Sequence, residues 1–223
     1  MSSRICVASI ATPSLKDLAD MTMPNKIEYC QRHGYDAALV TQVGEYLGYD
    51  KIHLIDGLLL SNKYDYIYWC DNDTLFTNFD KKIEDLIDDE HDFFICTDSS
   101  KHINAGVFIV KNSEGGREYI NHLKKLMYQI PTQFRFGEEQ TALLHSYKDP
   151  KFIDRIKIHP QRAMNGYPYI EVRNSDPAAC FDELGTDGNW KDGDFMIHLP
   201  GFFPDFYDRL LVHMEHYLTR VIK

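Results

Sequence analysis

The stretch Tyr64-Asp65-Tyr66-Ile67-Tyr68-Trp69-Cys70-Asp71-Asn72-Asp73 decides the fold. Aromatic and β-branched side chains dominate its first seven residues, and the run stops abruptly at two carboxylates, so it reads as a strand with acids at its carboxyl end. Two strand–helix units precede it. Residues 5–10 form an apolar strand that ends at Ala11, Thr12, Pro13 and Ser14, where Thr12 or Ser14 can cap a helix running to about Cys30. Pro24 is expected to break or restart that helix. His33 and Gly34 give a stop signal, 37–41 a second strand and 50–61 apolar residues at helical spacing. Strand, helix, strand, helix is the pattern of a parallel sheet flanked by helices, so the class is α/β.

Downstream, the sequence predicts a helix over 81–88, strands over 92–97 and 105–110, and helices over 114–129 and 138–147. Residues 160–193 are rich in Pro, Gly, Asn and Asp and predict irregular loops with at most short strands. A strand over 195–199, a Pro-Gly turn and an amphipathic helix over 204–221 close the chain. No internal repeat or low-complexity tract is present.

A chain of 223 residues with 43% hydrophobic residues is sized for one buried core, hence a single domain. A formal charge of -10 argues against nucleic acid or an anionic membrane as partner. The five cysteines (Cys6, Cys30, Cys70, Cys96 and Cys180) are odd in number and have no zinc spacing, which predicts reduced, buried thiols. The apolar run at 5–10 is too short for a signal peptide and nothing reads as a membrane span; the expected location is the cytoplasm, or a host's cytoplasm.

Two carboxylates at i and i+2 after a hydrophobic strand suit a hard divalent cation that also binds phosphate oxygens. Strand-end Asp residues are more commonly turn formers and helix caps, and a histidine such as His198 is more commonly a core or surface residue. Asn104 and Gly106 fit a turn, and Glu138 and Glu139 fit a helix N-terminus. The motif gains weight only from its neighbours.

Those neighbours are Tyr49-Asp50-Lys51-Ile52, the run from Tyr66 through Asp71, Asn72 and Asp73 to Asn78, His102 to Asn112 with Asn104-Ala105-Gly106, Glu138-Glu139-Gln140, Pro160 to Asn165, and His198-Leu199-Pro200-Gly201. In that order they resemble the retaining glycosyltransferases of the GT-A fold, in the group of galactomannan galactosyltransferases, yeast mannosyltransferases and xyloglucan xylosyltransferases. The resemblance implies one GT-A catalytic domain over 1–223, a Rossmann-like, mostly parallel sheet with donor binding in about 1–110 and acceptor binding and closure in about 111–223. It implies transfer from a nucleotide sugar, with a UDP-sugar first and GDP-mannose second, to a glycan or glycoprotein.

By the same resemblance, Asp71, Asp73 and His198 would hold manganese or magnesium, with Asn72, Lys51 and Gly201 beside the donor. Asn104, Ala105 and Gly106 would shape the sugar pocket, and Ala8, Ile10, Ala11 and Thr12 would hold the nucleobase and ribose. Gln140 would steady the charge at the anomeric carbon, or Glu138 or Glu139 would attack it. Relatives usually carry a lysine soon after the His-x-x-Gly, where this chain has Phe202-Phe203-Pro204; Lys51, Arg162 or Lys191 would then meet the diphosphate. No stretch of this sequence reads as the membrane anchor usual in the family, which is expected of a bacterial or large-virus enzyme, a chlorella-virus capsid-modifying transferase among them, and equally of a catalytic domain cut from a longer polypeptide.

Two other classes fit parts of the sequence. Asp71-Asn72-Asp73-Thr74 also matches the nucleophile motif of haloacid dehalogenase-type phosphatases, which require a later acidic metal pair; here Gly193-Asp194 is followed at the matching place by His198. A non-catalytic carbohydrate-binding homologue would use the aromatic residues around 167–169 and 202–206 for stacking.

Overall fold

The computed structural model of the chain describes residues 3–41, 47–98, 102–131, 138–168, 188–201 and 207–223. A six-stranded sheet is built from β1 (Ile5–Ile10), β2 (Asp36–Val40), β3 (Tyr66–Cys70), β5 (Phe93–Thr97), β6 (Ile103–Lys111) and β7 (Ile156–His159), in the order β2-β1-β3-β6-β5-β7. Its pairings are parallel except the two that β6 makes, with β3 and with β5. A second, two-stranded sheet pairs β4 (Thr74–Phe76) antiparallel to β8 (Met196–His198).

β3 is buried at all five positions because both faces of the sheet are covered. Ile67 and Trp69 enter the core beneath α2 (Leu47–Leu60), α3 (Glu114–Gln129) and α4 (Glu138–Ser146). Tyr66, Tyr68 and Cys70 enter the opposite core with Tyr29 and Cys30 of α1 (Lys16–His33). A helix at the end of the chain, α5 (Tyr207–Leu218), packs Leu210 and Met214 against Leu18, Leu75 and Ile197. The four described cysteines are buried and form no disulfide among the described residues; Cys180 and the aromatic positions 169 and 202–206 lie outside the described residues.

Several expectations are corrected. Pro24 sits inside α1 without ending it. Pro24 faces solvent, as does Asp20, whose carbonyl loses its partner, while Thr22, Met23, Asn25 and Lys26 on the other side are buried and hold the helix in place. α1 instead ends at Gly34, whose φ of 71° closes the last turn through its N–H to Cys30 O. Neither Thr12 nor Ser14 caps α1; their hydroxyls bond to each other at 2.8 Å. The helix expected over 81–88 is a single 3-10 turn, Ile83–Leu86. One such turn suffices to bury Ile83 and Leu86, three residues apart, and His159 Nε2 meets the Leu86 carbonyl at 2.8 Å. β4 and β7, of three and four residues, are too short for periodicity to reveal.

Candidate active site

β3 delivers Asp71 to the sheet's carboxyl edge, and the antiparallel entry of β6 brings its first residues to the same edge. The register pairs Cys70 with Val107, and Asp71 N–H donates to Gly106 O at 2.8 Å. Asn104, Ala105 and Gly106 therefore lie beside Asp71. β4 continues from Asp73, and its partner β8 sets His198 opposite Thr74. Leu199 N–H donates to Asp73 O at 3.0 Å, which completes the junction.

Asp71, Asp73 and His198 each offer a ligand atom, and these atoms all lie within 4.8 Å of one another. Two carboxylates at such a distance repel by roughly 3 kcal/mol at the effective dielectric of a partly buried site, a penalty that a divalent cation reverses. His198 is 2% exposed, with Nε2 at 3.3 Å from Asp73 Oδ1. Its other nitrogen, Nδ1, lies 2.7 Å from Asn165 Oδ1, and Asn165 Nδ2 donates to Thr97 O at 2.9 Å. That second bond orients the amide, so Asn165 Oδ1 accepts Nδ1–H and leaves the Nε2 lone pair facing the carboxylates. The donor set fits a divalent metal. Two oxygens with one imidazole suit manganese, with magnesium the alternative.

Gly106 is required by this packing. A Cβ there would lie 2.2 Å from His198 Cε1 and 2.8 Å from Asn104 Oδ1. Gly106→Ala is expected to push the imidazole away from Asp73 and weaken manganese binding by about 10–100-fold, the range for lost outer-shell support. Calorimetric titration with manganese measures this; parent-like affinity would show that the ring has no part in the site. Gly201, at φ 79°, takes a backbone conformation that favours glycine.

Lys51 is the hub of the site, at 3% exposure. Its ammonium meets Asp71 Oδ1 at 2.9 Å, Glu139 Oε1 at 2.8 Å and Ala105 O at 3.1 Å, over the Trp69 ring at 5.0 Å. Burial opposes its charge, but Asp71 and Glu139 outweigh burial and hold the Lys51 pKa above its ordinary value. For Glu139, too, burial opposes ionisation and Lys51 overcomes it, lowering the carboxyl. For Asp71 burial prevails over Lys51, and Asp73 adds to the rise. The three hydrogens of Lys51 are thus directed at Asp71, Glu139 and Ala105 O. Arg162 is likewise held, by two bonds of 2.8 and 2.7 Å to Asp194.

Gln140 lies against the start of β6: its Oε1 accepts from Ala105 N at 2.7 Å and its Nε2 donates to Ile103 O at 2.8 Å. Glu138 and Glu139 open α4 beside Gly48, where a Cβ would strike both carboxylates. Ile10 lines a cavity of about 120 Å³ with Leu15, Leu18, Trp69, Asp71, Asn72, Asp73 and Leu210. Ala8 is core, paired with Ala38 and Trp69, and Ala11 is buried, with its N–H bonded to Val40 O. Thr12 is half-buried at the strand's end. Asn72 turns its side chain towards α1, where Oδ1 accepts from Thr22 Oγ1 at 2.8 Å.

Two working residues escaped the sequence reading. Trp69 reads as core and is core, yet its indole N–H also donates to Asp71 Oδ1 at 2.8 Å. Asn165 stands in a segment without periodicity, and only its place in the block from Pro160 to Asn165 marked it.

The model of the galactosyl transferase GMA12/MNN10 family matches residues 5–91 and 86–204. The chain belongs to this family. It is similar to an alpha-1,2-galactosyltransferase of Schizosaccharomyces pombe, at 22% identity over 252 residues covering 92% of this chain and 62% of that protein. It is also similar to galactomannan galactosyltransferase 1 of Cyamopsis tetragonoloba, at 24% identity over 139 residues covering 56% of this chain and 31% of that one. The chain thus spans less than two thirds of the length of either. Among solved structures, a glycosyltransferase involved in the glycosylation of the major capsid of PBCV-1 superposes with a TM-score of 0.71 at 18% identity, covering 96% of this chain and 99% of that one. The galactosyltransferase LgtC gives 0.60 at 10% identity, covering 98% and 96%. The fold of this family member is GT-A.

The phosphatase reading is not favoured, given the family match and Asp194, whose carboxylate is bound to Arg162 while His198 takes the place in the acidic cluster. No helix among the described residues is long and apolar enough to cross a membrane.

Proposed function

We propose that this family member transfers a sugar, with retention of configuration, from a nucleotide-sugar donor, a UDP-sugar in first place, to a glycan or glycoprotein acceptor. The observation that carries this reading is the cluster of Asp71, Asp73 and His198, whose two carboxylates also line a largely apolar cavity. At about 120 Å³ that cavity is well below the roughly 300–1,000 Å³ of a whole-ligand pocket, so it suits one moiety, the nucleobase. A base seated against Ile10 and Leu210 would send its diphosphate toward the carboxylates. The donor part is then about 1–110 and the acceptor part about 111–223.

A divalent cation on Asp71, Asp73 and His198 would stabilise charge on the departing diphosphate. Lys51 keeps Asp71 in place and Glu139 ionised, and a carboxylate so paired is a weak nucleophile. Gln140 uses one lone pair of Oε1 on Ala105 N–H, which leaves the second to face positive charge developing at the anomeric carbon. This favours a front-side path with Gln140 as stabiliser over a covalent intermediate on Glu139, and Glu138 is the alternative nucleophile. The other reading, a homologue without chemistry, is disfavoured by the fully assembled cation cluster.

The test is incubation with manganese and a panel of UDP- and GDP-sugars, followed by proton NMR of the first-formed product. The expected result is manganese-dependent turnover with the donor's anomeric configuration unchanged. No turnover with any donor would overturn the reading, and an inverted product would overturn the assignment of Gln140.

A further inference from the structure

β4, which follows directly on Asp73, is bonded along its two edges by different partners. On one edge β8 and its flanks supply the bonds: Leu199 N–H to Asp73 O, and Thr77 N–H to Phe195 O at 2.9 Å. On the other edge no strand pairs with it among the described residues, and side chains of α1 do the work. Asn25 donates to Phe76 O at 3.0 Å and accepts from Phe76 N–H at 2.9 Å, as a neighbouring strand would. One turn earlier, Thr22 Oγ1 bonds the side chain of Asn72. Between them Lys26 Nζ donates to Thr74 O at 2.8 Å and to Asn72 O at 3.4 Å.

Lys26 is fully buried. Removing an ammonium from water is strongly unfavourable even after relaxation, and the hydrogen-bonded partners of Lys26 are backbone carbonyls and not carboxylates. A helix held only by apolar packing would not need it. The two carbonyls it grips bracket Asp73, and the first belongs to the residue between the two carboxylates. Asn72 and Asp73 form the turn between β3 and β4, so gripping the carbonyls of Asn72 and Thr74 holds the backbone on both sides of Asp73 and with it the direction in which the carboxylates leave the turn.

We propose that Lys26, assisted by Thr22, is a positioning residue for the cation site, setting the geometry of Asp71 and Asp73 through the backbone of Asn72 and Thr74. The inference rests on the reading of Asp71, Asp73 and His198 as cation ligands. It is separable from a pure charge effect by sign. A buried ammonium behind the site repels a divalent cation, so if charge alone mattered, removing it would tighten manganese binding.

The experiment is manganese titration of the whole chain, followed by loss of the free-manganese paramagnetic resonance signal, for Lys26→Met, Thr22→Val and Thr22→Ser, with thermal melts to confirm folding. Lys26→Met is expected to bind manganese about 10–100-fold more weakly than the parent. Thr22→Val, isosteric but without the hydroxyl, is expected to bind more weakly by a smaller factor, and Thr22→Ser to match the parent. Lys26→Met that is folded and binds as tightly as the parent, or more tightly, overturns the proposal. Should Lys26→Met fail to fold, Thr22→Val binding as well as Thr22→Ser overturns it. A parent protein that binds no manganese would instead sink the cation reading itself.

Discussion

Asp73→Asn is expected to remove manganese binding and sugar transfer together while leaving the fold intact. Asparagine has the same shape but lacks the negative charge, and its amide presents a donor where a cation needs an oxygen. Asp73 supplies one of only two carboxylates in the cluster, so its loss should exceed the roughly 100-fold upper end seen when an outer-shell group is removed. The backbone junction survives, because it runs through Asp73 O and Leu199 N rather than the side chain. Circular dichroism should match the parent, manganese titration should show no saturable site, and turnover should fall by about 1,000-fold, as when a preorganised group facing transition-state charge is deleted. Asp73→Asn that retains both binding and turnover would remove Asp73 from the site.

Lys51→Met is expected to give the largest loss of stability. The methionine fills much of the same volume but leaves Glu139 and Asp71 facing each other across the space the ammonium held. Breaking a buried ion pair by deleting one partner destabilises by roughly 3–5 kcal/mol. The lower end, about 3 kcal/mol, applies here because 33% of the Asp71 side chain stays in contact with water. The pH dependence gives a second readout. In the parent, Lys51 holds Glu139 below its ordinary range, so Glu139 contributes stability above the unfolded carboxyl value of about 4.3 and loses it as pH falls through the lower, folded one. Without Lys51, burial dominates and the Glu139 pKa rises in the folded state, so protonation stabilises the variant. The gap between variant and parent should therefore be widest at neutral pH and narrow on acidification towards pH 4. Urea melts at neutral and acid pH measure it, and a gap that is constant with pH would show that Lys51 acts through packing alone.

Much of the scaffold was legible because it is written in local patterns. The aromatic and β-branched run that ends at Asp71, the strand before Thr12 and the amphipathic stretch from Glu114 to Gln129 each carry their own periodicity, and α3 falls on its expected residues. Gly34 signalled a left-handed helix end that only glycine adopts without strain. Where local signals were weak or overruled, the reading missed: Pro24 was overridden by the buried contacts of its neighbours, and β4 has three residues, too few to show an alternation.

The sequence by itself determined that two carboxylates stand at the end of a buried strand, and that the blocks around them follow a family order. It did not determine which of those residues meet. The antiparallel insertion of β6 beside β3 sets Gly106 against Asp71, and the pairing of Thr74 with His198 brings residues more than 120 positions apart into one cluster. For Lys51 only the charge was visible in the sequence; the packing of α2 against α4 and β3 is what pairs it with Glu139 and Asp71. Such roles are decided by tertiary structure because hydrogen bonds and ion pairs act over about 3 Å, and only folding sets which donors and acceptors come that close.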